Sequence, residues 1–331
     1  MLSRSELRRT AAAIARVQLP SGMIPWAPRR HGDPWNHAEA VAALALGGEL
    51  AAAERGLDWL AGVVARDGAF CQYYLASGVE EPRIDLNVCA YPIVAIVAWV
   101  AAGGSVATAR AHLAWYRRTL ELVLGHQLGD GRFPWALDPG RRPLEGSLRA
   151  GSAAMVIALD GAAWAANELG VLEAGPIEEA RSRLALAIAK DEGFLDRFEW
   201  SMDWYYPVLA GVLELDAAED RLDGLFERAR ESTGQLRCVL SAPWVTTAET
   251  AEAAMAAWRL GRIADARALL ASVESLREPD GSYRTGIVVP EGHSFPTGEC
   301  STYSAAAVVL AHHVLRAPPR AGLIEALVAA S

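Results

Sequence analysis

Hydrophobic positions along this chain recur at helical spacing almost from end to end, and polar residues gather where that period breaks. The pattern predicts twelve helices, near 4–17, 34–47, 50–65, 86–102, 107–126, 149–169, 176–190, 203–214, 217–230, 247–260, 263–277 and 300–315. They alternate between two kinds. The odd members are amphipathic and dotted with arginine, as from Ala107 to His126, so one face meets solvent. The even members are apolar nearly all round, as from Val88 to Val100 or from Ala305 to Ala311, so they belong inside. Six exposed and six buried helices in alternation predict an all-α (α/α)6 toroid of six helical hairpins, an inner ring of parallel helices within an outer one. The expected organisation is a single toroid domain over 1–317, with 318–331, from Pro318-Pro319 onward, as a C-terminal tail or short capping helix.

The breaks repeat as well. A glycine-centred turn closed by an aromatic recurs from Gly22 to Trp26, at Gly68-Ala69-Phe70, Gly131-Arg132-Phe133, Gly193-Phe194 and Gly281-Ser282-Tyr283, with a looser copy at Gly234-Gln235-Leu236. Successive glycines lie 46, 63, 62, 41 and 47 residues apart, periods that belong to stacked helical hairpins.

Composition narrows the function classes. The chain has 331 residues, 52% of them hydrophobic and 21% charged, which is globular. A formal net charge of −9, with Lys190 the only lysine, leaves no basic stripe for nucleic acid. The four cysteines, Cys71, Cys89, Cys238 and Cys300, are scattered, so neither a zinc knuckle nor a disulfide framework is suggested. His31 and His37 flank Asp33 without a third spaced ligand, so no metal and no cofactor are expected. The most apolar stretch, Val88 to Ala102, falls short of the roughly 20 residues that span a bilayer, and residues 1–17 lack an apolar signal core. No membrane insertion and a cytoplasmic location are the expectation.

In a toroid the inner helices all start at one end, so their first turns share one opening. Those starts carry Asp33, Trp35, Asn36 and His37; Asp85 and Asn87; Arg149; Asp203, Trp204, Tyr205 and Tyr206; Trp244, Thr246 and Glu249; and Glu299 and Tyr303. The glycine–aromatic loops are expected to rim the same mouth. The product is a funnel floored by carboxylates and amides and walled by aromatics, which is how sugars are held. Each acid also has a plain explanation as a helix cap: Asp33 before Pro34, and Thr246 with Glu249 as a capping box. The clustering of polar and aromatic residues on inner starts alone favours a site, since burying such groups costs free energy unless they are used or satisfied.

The strings HGDPWNHAEA, SMDWYYPVLAG, RCVLSAPWVTTAET, DGSYRTG and GECSTYSAAAVVLA resemble an actinobacterial family labelled prenyltransferase-like, over nearly the whole stretch from Gln18 to Ala311. One branch of that family is similar to an endo-acting α-mannosidase that cuts methylated mannose polysaccharides on an (α/α)6 fold. The resemblance implies a glycoside hydrolase with Asp33 and Glu249 as its acids. It also implies a second acid where this chain has Asn36, and an amide can be neither a base nor ionised, which leaves Asp33 and Glu249 to carry the chemistry.

Glycoside cleavage needs one carboxylic acid to protonate the leaving oxygen and one carboxylate to activate water or attack. A helix N-terminus favours a carboxylate, so Asp33 is the expected base, and Glu249, expected beside Trp244, the acid. Their placement on next-but-one inner helices suggests the wider, inverting arrangement. Asp85, Asn87, Arg149, Asp203, Tyr205 and Tyr206 are expected to hold sugar hydroxyls, with Glu299 a reserve acid. Three rivals stand beside this reading. An isoprenoid enzyme, prenyltransferase or terpene cyclase, lacks its Asp-rich strings here; a non-catalytic glycan-binding toroid and a lyase or epimerase using Tyr205 or Tyr206 are the others.

Overall fold

The structure, a computed structural model, describes residues 1–329. Its helices are α1 (Arg4–Val17), α2 (Pro34–Leu46), α3 (Leu50–Val63), α4 (Leu86–Ala90), α5 (Ile93–Ala101), α6 (Val106–Leu124) and α7 (Arg149–Leu169). The second half contributes α8 (Ala174–Lys190), α9 (Met202–Leu209), α10 (Leu215–Ala229), α11 (Thr247–Arg259), α12 (Ile263–Ser272), α13 (Thr302–Val314) and α14 (Leu323–Ala329). Packing runs α2 on α4 and α5, these on α7, then α9, α11, α13 and back to α2, so six inner positions close a ring. Helices α1, α3, α6, α8, α10 and α12 lie outside it, each against its inner partner. This is the (α/α)6 toroid.

Apolarity decides which ring a helix joins. Every residue of α13 from Ser304 to Val314 is buried, whereas α10 buries only Ala218, Leu222, Leu225 and Ala229, one stripe at helical spacing. The inner helix expected over 86–102 is split in two at Tyr91-Pro92, because proline has no N–H to donate and its ring crowds the preceding turn. Helix α14 packs on α5, α7 and α13, with Ile324 and Ile93 both against Gly161, and so plugs the end of the ring opposite the inner N-termini. Positions 330 and 331 of the expected tail lie outside the described residues. No described helix is long and apolar enough to cross a membrane.

The glycine turns work as bolts between outer helices. Gly22, Gly68 and Gly131 have φ near +90°, and a Cβ on each would strike the backbone of Arg55, Arg118 and Arg183 on the next outer helix. Gln18 and Gln127 donate to the carbonyls of Gly22 and Gly131 and to those of Ala52 and Ala180 across the same joints. Gly281 does the same against Arg9 of α1, which closes the ring between the two ends of the chain. Phe70, Phe133 and Tyr283 then turn into the core, fully buried, so these loops do not rim the opening as expected. Trp26 is the exception.

The sequence pattern offered no strands, yet short antiparallel ones roof the inner N-termini. Strands β1 (Tyr73–Leu75) and β2 (Gly78–Glu81) form a hairpin, and β3 (Ile84–Asp85) pairs with β4 (Ala136–Leu137). A four-stranded sheet joins β5 (Leu236–Arg237), β6 (Trp244–Thr246), β7 (Arg284–Val288) and β8 (Ser294–Cys300), with Trp244 opposite Val288 and Arg284 opposite Cys300. Segments of two to seven residues carry too little alternation to register against the helical period.

Candidate active site

All six inner N-termini converge on one cavity of about 330 Å³. Asp33, Trp35, Asn36 and Glu39 come from α2 and its N-cap, Asp85 and Asn87 from the N-cap and first turn of α4, and Leu148, Ala150 and Gly151 from the N-cap and first turn of α7. Met202, Asp203 and Tyr206 come from α9, Glu249 and Glu252 from α11, and Tyr303 from α13. Loops add Trp26, Gln72, Arg197 and Trp200, and strand β1 adds Tyr73. The wall thus holds six carboxylic acids against one cation, Arg197.

Asp33 caps α2, as its place before Pro34 predicts, and does more besides. Its Oδ1 accepts from the backbone N–H groups of Trp35 (2.9 Å) and Asn36 (3.0 Å). Its Oδ2 accepts from Trp26 Nε1 at 2.6 Å and from the Asn36 side-chain amide at 2.7 Å. Four N–H donors therefore fix one carboxylate, 3% exposed, at the cavity wall. Asn36 aims its donor at an acid already capping its helix, which ties the pair into one unit.

Glu249 is different. The capping box does not form, since the Thr246 side chain makes no cap bond, and Glu249 is left half-buried on the cavity wall. One turn deeper on the same helix stands Glu252, and on α2 stands Glu39; both are nearly sealed from solvent yet line the cavity floor. Trp35 Nε1 donates to Glu39 at 2.9 Å, while the Tyr205 and Tyr206 hydroxyls donate to the two oxygens of Glu252. Burial first, and then repulsion from neighbouring carboxylates (Asp33 and Glu249 on Glu39, Glu39 and Glu249 on Glu252), pushes the Glu39 carboxyl up to about 7 and that of Glu252 well above the usual carboxylate range.

Asp85, with Oδ1 buried and unpartnered, is pushed up to about 7 by burial as well. Asp203 accepts from the Ala150 N–H at 2.8 Å, and burial raises its carboxyl despite Arg149 behind it. Asn87 rests against Gly151, where a Cβ would come within 2.8 Å of its Oδ1.

Seven sequence-predicted residues stand off the wall. His37 is buried behind it, accepting from the Ile24 N–H and bonded to the Gly56 carbonyl, and burial holds its imidazole down to about 4. Arg149 is sealed under Phe198 and spends its charge on Asp191 at 2.6 Å. Trp204 points outward, donating to the Phe198 carbonyl and packing near Gly224 of α10. Tyr205 lies beneath the floor on Glu252. Trp244 stacks on Phe295 in the sheet at 4.2 Å, so it is not the neighbour of Glu249; Cys238 and Glu252 are. Thr246 is buried at the start of α11, and Glu299 is held on β8 by Arg30 and Thr285. Sequence reasoning missed Glu39 and Glu252, although Glu39 is the sole acid in α2 and is followed only by apolar residues, which was a readable signal. It also missed Gln72, Tyr73, Arg197 and Trp200, which reach the cavity from loops and short strands.

No family model matches the chain. It is 35% identical over 328 residues, 98% of this chain and 90% of the other, to the MMP endo-(1,4)-3-O-methyl-alpha-D-mannosidase of Mycolicibacterium hassiacum. Among solved structures, a glycosidase superposes with a TM-score of 0.71 at 14% identity, covering 92% of this chain and 95% of its own. A D-mannose isomerase reaches 0.72 at 12% identity, covering 93% and 96%. At such identities these two likenesses concern the fold.

Proposed function

We propose, from the premise that this chain belongs to the family of the mycolicibacterial MMP endo-mannosidase and is a glycoside hydrolase, that it cleaves α-mannosidic linkages in O-methylated mannose oligo- or polysaccharides. The observation that carries the substrate reading is the 35% identity over nearly the full length. The cavity supports it: carboxylates and amides to meet hydroxyls, and the faces of Trp26, Trp35, Tyr73 and Tyr303 to meet a pyranose ring and its methyl groups.

Asp33 and Glu249 carry the reaction in this reading. The four N–H donors on Asp33 hold a carboxylate in place, and withdrawal of the Asn36 amide frees an Oδ2 lone pair for the attacking water. Glu249, unclaimed by its own helix end, protonates the leaving oxygen from across the cavity. Asp85, Asn87 and Asp203 hold hydroxyls, and the inverting route follows if the two acids stand apart by the width of a water, roughly 6.5–9.5 Å.

The isoprenoid alternative fares poorly, because the Asp-rich strings that hold a diphosphate are missing and the cavity wall offers such a ligand one arginine. The test is mass spectrometry of α-mannan oligosaccharides, plain and O-methylated, and an α-glucan panel after incubation with the protein. Cleavage of the methylated mannosides, lost in both Asp33→Asn and Glu249→Gln, is expected. Intact glycans throughout, with glycan binding retained, would assign the funnel to binding alone.

A further inference from the structure

Beneath the two acids of the cavity wall lies a second pair that the proposed mechanism does not use. Glu39 on α2 and Glu252 on α11 come from next-but-one inner helices and both line the cavity floor. Tyrosine hydroxyls link them. Tyr205 and Tyr206 donate to Glu252, and Tyr91 reaches both Glu39 and Tyr206. Among the described residues no arginine, lysine or histidine forms an ion pair with either carboxyl. The same network supports aromatic rings that face the ligand space. Trp35 donates to Glu39, stacks on Tyr91 at 4.9 Å and meets Tyr206 edge-on at 5.6 Å.

We propose that Glu39 and Glu252 are a proton-sharing positioning pair, which holds the Trp35–Tyr206 floor under the sugar in the geometry that turnover requires. The inference rests on the glycosidase reading of the cavity for its consequence in turnover, but the shared proton does not.

The physical case begins with charge. Two carboxylates sealed in one apolar floor without a cation cannot both be ionised at modest cost, so one proton stays between them. The tyrosine hydroxyls stabilise the remaining negative charge without neutralising it. Losing that proton would place two like charges in the floor beneath the Trp35 indole, linked only through tyrosine hydroxyls. Burial raises both carboxyls, Glu39 repels Glu252, and Glu249 repels both, in keeping with this. The titratable groups that face the pair are Asp33 of α2, Tyr91 of the α4–α5 joint, Tyr205 and Tyr206 of α9, Glu249 of α11 and Cys238 between β5 and β6. Tyr303 of α13 faces Glu249 in turn. None supplies a positive charge, so raising the pH only adds repulsion.

Infrared spectroscopy of the protein with 13C-labelled glutamate, titrated through neutral pH, reads the proton directly. A protonated glutamic-acid carbonyl band is expected at pH 7 and should fade on the alkaline side; it should disappear in the Glu39→Gln/Glu252→Gln double variant. Absence of that band at pH 7 in the unmodified chain overturns the pair, whether or not any glycan is cut and whether or not the variant folds. Turnover supplies the positioning readout. In Glu39→Gln and Glu252→Gln, kcat should fall on the order of tenfold to a hundredfold, with KM little changed and the alkaline limb of the profile displaced. A profile merely scaled down, with its limbs where they were, would reduce the pair to packing.

Discussion

At the scale of single residues, the site is a contest over what each carboxylate is bonded to. Asp33 has four N–H donors, Asp85 has a buried oxygen with none, and Glu249 escapes the cap its sequence advertises. Asp85, pushed up to about 7, is suited to donate a hydrogen bond to a sugar hydroxyl, a role an amide can fill. Asp85→Asn should therefore cost less than about tenfold in kcat/KM, against roughly 100-fold to 10,000-fold for loss of a proton-transferring group in Glu249→Gln. Steady-state kinetics of the two variants side by side decides it. Glu39 allows a stability test. Its carboxyl is raised in the folded state, so the protein is least penalised below the unfolded value, near 4.5, and loses stability as pH climbs towards about 7. Glu39→Gln removes that loss. The melting temperature of the variant relative to the parent should rise between pH 5 and 8, and a constant difference would contradict the assignment. Asp33 was legible because a cap before proline is a local signal. Glu252 was hidden because an acid within a Thr-Ala-Glu-Thr-Ala-Glu run reads equally well as exposed, and only the ring turns it inward.

At the scale of elements, the period of 3.6 and the glycine turns carried most of the fold. Helix α2 begins at Pro34 and α7 at Arg149, as the pattern predicts, since each is a long apolar run with a clear start. Where the reading fell short, a local rule was overridden or too brief to see. Pro92 divides an apolar run that looks continuous, and α9 stops at Leu209, two residues before the positive φ of Gly211, where the pattern had extended it to 214. The four-stranded sheet pulled Trp244 away from the cavity, a pairing between segments some 40 residues apart that no local pattern reports. The glycine bolts permit a direct check. Gly131→Ala places a Cβ about 2.5 Å from the Arg183 carbonyl at φ +93°, and should destabilise by about 2 kcal/mol or more. Gly129→Ala, two residues away in open space, should stay within about 0.5 kcal/mol. Equal effects in chemical denaturation would mean the joints between outer helices carry no strain.

At the scale of the molecule, ring closure creates the site. No single hairpin owns the cavity: all six inner N-termini contribute lining residues, from the single Tyr303 of α13 to the four of α2, and α14 stops the far end. An acidic funnel in a chain of net charge −9 suits an uncharged polyhydroxylated ligand better than an anionic one. The 1H NMR spectrum of an α-(1,4)-linked 3-O-methylmannose oligosaccharide, recorded as the protein acts on it, tests this account most directly. New reducing ends should appear first as the β anomer, and none should form with Glu249→Gln. First appearance of the α anomer would contradict the inverting pair, and an unchanged spectrum would contradict the hydrolysis of methylated mannosides itself.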